Sequence, residues 1–137
     1  MRDMTKWLGD GGMPLIGQLG ASFDDYGEGW VTATWTPSEL AGNTRGIVQA
    51  GVIAVLLDAA MNFALNAGLD GGDRSKATLE MKTETMRASQ VGDALFVRGE
   101  VVRLTRSFAW TEAWVRQATA DGELAARSTG TFAVHRA

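Results

Sequence analysis

The sequence predicts an α+β domain in which an antiparallel sheet wraps one long helix. Three observations lead there. One stretch, AGVIAVLLDAAMNFALNA at 50–67, is almost wholly apolar and long enough for about five helical turns. From residue 77 to the C-terminus the hydrophobic pattern falls to period two, the signature of strands. The period-two runs are separated by short turns bearing Gly and Asp, and consecutive hairpins mean antiparallel pairing. A sheet of that size has one object to bury against, the apolar helix.

In chain order, residues 3–9 form a short helix closed by the glycines of GDGG at 9–12. LIGQLGASFDDYGEGWVTATWTP at 15–37 reads as two strands about the turn DDYGEG, with Gly27 and Gly29 supplying permissive dihedrals. Val31, Ala33 and Trp35 alternate with Thr32, Thr34 and Thr36, a half-buried strand that Pro37 stops. SELAGNTRG is a loop. The long helix opens near Ala50 and closes before Gly68, its C-cap. LDGGDRS is a loop, followed by a meander of four strands at 77–86, 94–105 (entered through the turn QVGD), 107–119 and 123–136. Asp121-Gly122 is the best hairpin signal in the chain.

The 137 residues make one domain, 1–137, with length enough for a core. Hydrophobic residues at 45% and charged ones at 21% describe a globular chain rather than a disordered one. A net charge of −3 argues against nucleic acid, which needs a basic face. With no cysteine there is neither a disulfide nor a thiolate metal site. The start MRDMTKWLGDGG has no apolar signal-peptide core. Gln49, Asp58, Asn62 and Asn66 interrupt the run from Ile47 to Ala67 in a way a membrane span tolerates poorly. The expectation is a cytoplasmic protein with no nucleic-acid or membrane partner.

Why the greasiest helix of the chain holds a carboxylate is the functional question. Projected at about 100° per residue, Val52, Ile53, Leu56, Ala59, Ala60, Phe63 and Ala64 form a broad apolar face. Asp58 lies on a narrow stripe with Asn62 and Asn66. The plain reading is the solvent side of an amphipathic helix. Two features oppose it. Asp58 is the only charge of the stripe, and the stripe's N-terminal part is Gly51, Ala54 and Val55, small or apolar. That describes a helix covered on both sides, by the sheet and by a loop or another chain. A carboxylate so placed is partly desolvated, which strengthens it as a base.

The start of the helix matters equally. Its first backbone N–H groups have no internal partner and bear partial positive charge, so they stabilise an oxyanion. Gly51 leaves the approach open. Asp58 lies about 11 Å further along the axis, so one helix cannot bring both groups to one carbonyl. Two chains side by side resolve this.

The layout resembles the hotdog fold and, more narrowly, the phenylacetate-pathway (PaaI-type) acyl-CoA thioesterases. Those carry a loop Asn, a His-Gly-Gly at the helix start and an Asp nine residues after the His. Here Asn43 stands six before Gln49, QAG at 49–51 takes the His-Gly-Gly place, and Asp58 is nine after Gln49. ATLEMKTETMRA resembles the family's post-helix strand, with Thr78 where a Ser or Thr holds the attacking water. VGD, RLTRSFAW and DGELAARSTGTFAV resemble the later strands in order, and the likeness spans about residues 15–135.

The resemblance implies an acyl-CoA thioesterase that needs no cofactor and works as a homodimer, in turn a dimer of dimers. Asp58 is then general base or nucleophile, the amide of Ala50 the oxyanion donor, and Asn43 a support from across the dimer interface. Two departures bear on this. Gln49 replaces His; it hydrogen-bonds but takes no proton at neutral pH. Ala50 replaces Gly and adds a methyl beside the retained N–H.

An acyl slot between subunits would be lined by Val55, Met61 and Leu65. Coenzyme A phosphates need cations, for which Arg87 and Arg106, with Ser107 in the turn, are the candidates. Phe108, Trp110 and Trp114 alternate on one strand face and read as a subunit contact. His135, the only histidine, ends the last strand, so no His-based triad or metal site is built from it. No G-x-S-x-G or Walker sequence is present. Beside the thioesterase reading stand a hotdog protein that holds acyl-CoA or another small apolar ligand without turnover, favoured by QAG, and a purely structural oligomer.

Overall fold

The computed structural model describes residues 1–137. Its strands are β1 (Ala21–Gly27), β2 (Trp30–Trp35), β3 (Arg74–Thr85), β4 (Leu95–Leu104), β5 (Phe108–Gln117) and β6 (Leu124–His135). They form one antiparallel sheet in the order β1-β2-β4-β5-β6-β3. Besides a short helix α1 (Pro14–Gln18) there is one long helix, α2 (Ala50–Ala67), which packs against all six strands. This is the hotdog arrangement.

Burial explains the helix's composition. Ile53, Leu56, Leu57, Ala60, Ala64 and Leu65 are sealed between α2 and inward residues such as Val31, Trp35, Val97 and Phe132. The fit is close. A Cβ on Gly99 of β4 would stand 2.6 Å from the Ala60 carbonyl oxygen, so only glycine lets strand and helix approach there. Trp35 is fully buried, and its Nε1 donates to the Leu19 carbonyl at 2.8 Å, satisfying its one polar atom. By length and composition α2 would also suit a membrane, but its apolar surface is turned to the sheet.

Several expectations are corrected. The segment at 15–18 is helical, because Pro14 at the first helical position presets the backbone; the strand starts only at Ala21. β1 continues through Asp24 and Asp25 to Gly27, with a bulge between Phe23 and Asp25, so the turn is narrower than DDYGEG. In that turn Gly29 takes φ +78°, whereas Gly27 has no left-handed backbone and instead carries the Trp30 indole packed 2.3 Å from where a Cβ would stand. At the N-terminus only Thr5–Trp7 turns, as 3₁₀.

The largest change concerns β3, which starts at Arg74 and does not pair with β4. It lies at the far edge beside β6, while β4 pairs with β2. The meander is therefore β4-β5-β6 alone. QVGD ends a connection over 86–94 that runs past the start of α2, where Val48 N–H donates to the Ser89 carbonyl at 2.8 Å.

Candidate active site

Asp58 lies in the third turn of α2 on the side that faces β3, and the register of β3 puts a hydroxyl beside it. Thr78 is opposite Phe132, which is buried, so both side chains point to the helix side of the sheet. Unpaired residues interrupt the ladder on both sides, Lys76 between Ser75 and Ala77 and Leu79 between Thr78 and Glu80. Thr78 Oγ1 donates to Asp58 Oδ1 at 2.8 Å.

The rest of the stripe is tied to the same strand. Asn66 Oδ1 accepts from the Ser75 amide at 2.9 Å, Asn66 Nδ2 donates to Ser75 Oγ at 3.0 Å, and Ser75 Oγ donates to Asn62 Oδ1 at 2.5 Å. The polar residues of α2 thus bond to the edge strand, with Asn62 still exposed and Asp58 and Asn66 half-buried. Ser75 was not foreseen; a strand position opposite an Asn-x-x-x-Asn spacing was the available signal.

Half-buried Asp58 opens into a cavity of about 230 Å³ walled by Met13, Ile16, Phe23, Val55, Ala59 and Phe63, with Asp10 and Gly11 at its rim. The GDGG loop supplies that rim. Gly12 adopts φ +79°, which favours glycine, and the exposed Trp7 ring packs 2.6 Å from where a Cβ would stand. This loop is the cover that the composition of the stripe called for.

At the other end of α2, the amides of Ala50 and Gly51 have no acceptor in the chain. The first helical bonds run from Val52 and Ile53 to the Gln49 carbonyl, and the Gln49 side chain caps nothing. Gln49, Ala50 and Gly51 are exposed, and a Cβ on Gly51 would meet nothing within 4 Å. The loop ahead of them is held by Asn43, whose Oδ1 accepts from the amides of Arg45 at 2.9 Å and Ile47 at 3.2 Å.

The family model described as Thioesterase superfamily matches residues 45–121, from the loop before α2 into the turn after β5. The chain belongs to the thioesterase superfamily. Among solved structures it is similar to a conserved protein from Pseudomonas aeruginosa, with 26% identity and a TM-score of 0.80 over 90% of this chain and 94% of that one. It is also similar to a phenylacetic acid degradation-related protein from Ralstonia eutropha, at 22% identity and TM-score 0.80, covering 96% and 99% of the two chains. A hypothetical thioesterase protein from Streptococcus pneumoniae, solved with coenzyme A, is 19% identical with TM-score 0.75, covering 84% of this chain and 88% of that one. No curated protein matches.

Within this thioesterase-superfamily chain the structure gathers Asp58, Thr78 and Val55 at one cavity. It does not bring Met61 or Leu65 there: both are fully buried, and Met61 packs toward Gly130 of β6. Nor does it join the arginines. Arg87 follows the C-terminal end of β3 and pairs with Glu123 at 2.5 Å. Arg106 and Ser107 lie exposed in the β4–β5 turn, near the opposite end of β3, since Val134 donates to the Ser107 carbonyl and Ser75 is opposite Val134. Asn43, Gln49 and Ala50 cluster at the start of α2, apart from their own chain's Asp58.

Proposed function

We propose that the protein hydrolyses acyl-CoA thioesters at a site built by two copies of the chain. The observation that carries this is the Thr78–Asp58 hydrogen bond at the mouth of an apolar cavity. One carboxylate oxygen is held by Thr78, and the other is left to take a proton from water. The water oxygen bonds to the thioester carbon, and the carbonyl oxygen becomes an oxyanion facing the partner chain's Ala50 N–H. Collapse breaks the C–S bond; Asp58 returns its proton to the departing thiolate, releasing the acid and coenzyme A. That the S. pneumoniae protein holds coenzyme A supports this substrate class.

The second copy is supported by two features. The unpaired amides of Ala50 and Gly51 are too far along α2 from Asp58 to share one carbonyl with it. β3 is an open sheet edge with Leu79 55% exposed, a surface that pairs with another strand unless covered. The outer sheet face, with Phe108 44% and Trp110 40% exposed, suits a further contact between dimers. We place this enzyme in the cytoplasm.

The test is thiol release from aliphatic and aryl acyl-CoAs by the native protein and Asp58→Asn. Loss of about 10²–10⁴ in kcat with unchanged circular dichroism supports Asp58 as base. Equal turnover by the variant removes it from the chemistry. The exposed, uncapping Gln49 in place of His favours the second reading, ligand holding without turnover; tight acyl-CoA binding by a native protein that hydrolyses none would establish it.

A further inference from the structure

The cavity at Asp58 does not end at its apolar walls. A second cavity of about 350 Å³ shares Gly11, Asn62 and Phe63 with it and continues along α2 to the start of β3. Its character is different. Its walls include Arg2, Trp7 and Arg74, and a further hollow beside it adds Lys6 together with Asp3 and Asp73. The two cavities meet at Gly11, Asn62 and Phe63, with the carboxylate in the wall of one and two guanidinium groups and the Trp7 indole in the wall of the other.

The cations of that chamber lack carboxylate partners. The Arg74 side chain makes no hydrogen bond or ion pair within the chain, its backbone alone being paired, with His135 of β6. Arg2 donates to the carbonyls of Gly71 and Asp73, which fixes its guanidinium without neutralising it. The Lys6 ammonium lies 4.9 Å over the Trp7 ring, again with no counter-charge. Of the acids, Asp73 is paired with Arg136 and the Ala137 amide, and Asp70 with the N-terminal amine; Asp3 accepts only from neutral Thr5 and Tyr26, so Arg2, Lys6 and Arg74 outnumber the one acid left without a cation. The apolar stretch suits a hydrocarbon; the guanidinium beyond it suits a planar, bidentate anion.

Resting on the thioesterase reading, we propose that the acyl group ends in a carboxylate, so that the substrate is the coenzyme A half-thioester of a dicarboxylic acid. Asn62 and Asn66 stand about 6 and 12 Å beyond Asp58 along α2, and Asn66 touches Ser75, the neighbour of Arg74. A medium-length chain spans that distance with its thioester at Asp58 and its free carboxylate at Arg74.

Suberoyl-CoA and octanoyl-CoA are matched in length and differ in the terminal carboxylate. The native protein is expected to favour the suberoyl ester in kcat/KM by about tenfold or more, and Arg74→Met to lose about 10–100-fold on that ester alone. Equal loss on both esters would assign Arg74 to a coenzyme A phosphate and overturn the inference, as would a native preference for octanoyl. Free suberate and octanoate, titrated against ¹⁵N-labelled protein with the Trp7 indole as reporter, separate this from turnover. Suberate shifts in the native protein that vanish in Arg74→Met support the subsite even if no ester is cleaved; absence of shifts in the native protein sinks it.

Discussion

Thr78 Oγ1 donates to Asp58 Oδ1 at 2.8 Å, joining the edge strand to the one charged residue of the core helix. The bond fixes the carboxylate plane and leaves one oxygen free. Thr78→Val keeps the shape and removes the donor. It is expected to lower kcat about tenfold, the worth of one hydrogen bond to a charged group, with Thr78→Ser restoring most of it. An unchanged kcat in Thr78→Val would mean that the hydroxyl only fastens the strand.

Ala50 offers a test of the two-chain site. Its N–H has no acceptor, and Gln49 before it has φ −63° and ψ 136°, the region that a residue preceding proline prefers. Proline at the first helical position is well tolerated, so Ala50→Pro should fold while deleting the oxyanion donor, with a loss of about 10²–10³ in kcat. Asp58→Asn and Ala50→Pro chains, each inactive alone, are expected to regain activity when unfolded together and refolded as mixed dimers. Each mixed dimer then has one site with both groups. No recovery in a verified mixed dimer would place both groups in one chain.

Ser75 ties Asn62 and Asn66 to β3. Ser75→Ala leaves both amides short of a partner. We expect a stability loss of about 1 kcal/mol by urea unfolding, with an unchanged slope. A neutral result would mean that water replaces the hydroxyl at no cost.

Gly99→Ala is expected to be worse than its size suggests. The added methyl meets the Ala60 carbonyl, which is helix backbone and cannot turn aside. Overpacking of this kind costs about 1–3 kcal/mol and should show as a lower melting temperature. Wild-type stability in the variant would show that β4 and α2 separate easily.

The C-terminus is latched by Asp73, which accepts from the Ala137 amide at 2.9 Å and from Arg136 Nη1 at 3.0 Å. The Ala137 amide, then Arg136, holds this carboxyl below its ordinary 3.8. A group depressed on folding contributes stability above its unfolded value and loses it as pH falls through the folded one. The Ala137 amide resonance should therefore stay constant from neutral pH to about 5 and move on further acidification below the ordinary carboxylate range. An Ala137 shift already complete above about pH 5 would show that Asp73 does not hold this amide.

The helix α2, the strands β2, β4, β5 and β6, and the lone carboxylate of the helix were legible in the residues themselves. Helical periodicity and Gly68 bound α2 to within a residue, period two located β4, β5 and β6, and the lone charge on an otherwise apolar helix singled out Asp58. These are local signals, written in spacing along the chain. Tertiary structure alone decided which strand lies beside which, because pairing of β3 with β6 rather than β4 is a choice between distant partners that periodicity does not encode. It also decided which part of the stripe is open. Leu65 projects within about 20° of Asp58, yet it is sealed while Asp58 faces a cavity, because what covers a helix changes along its length as well as around it.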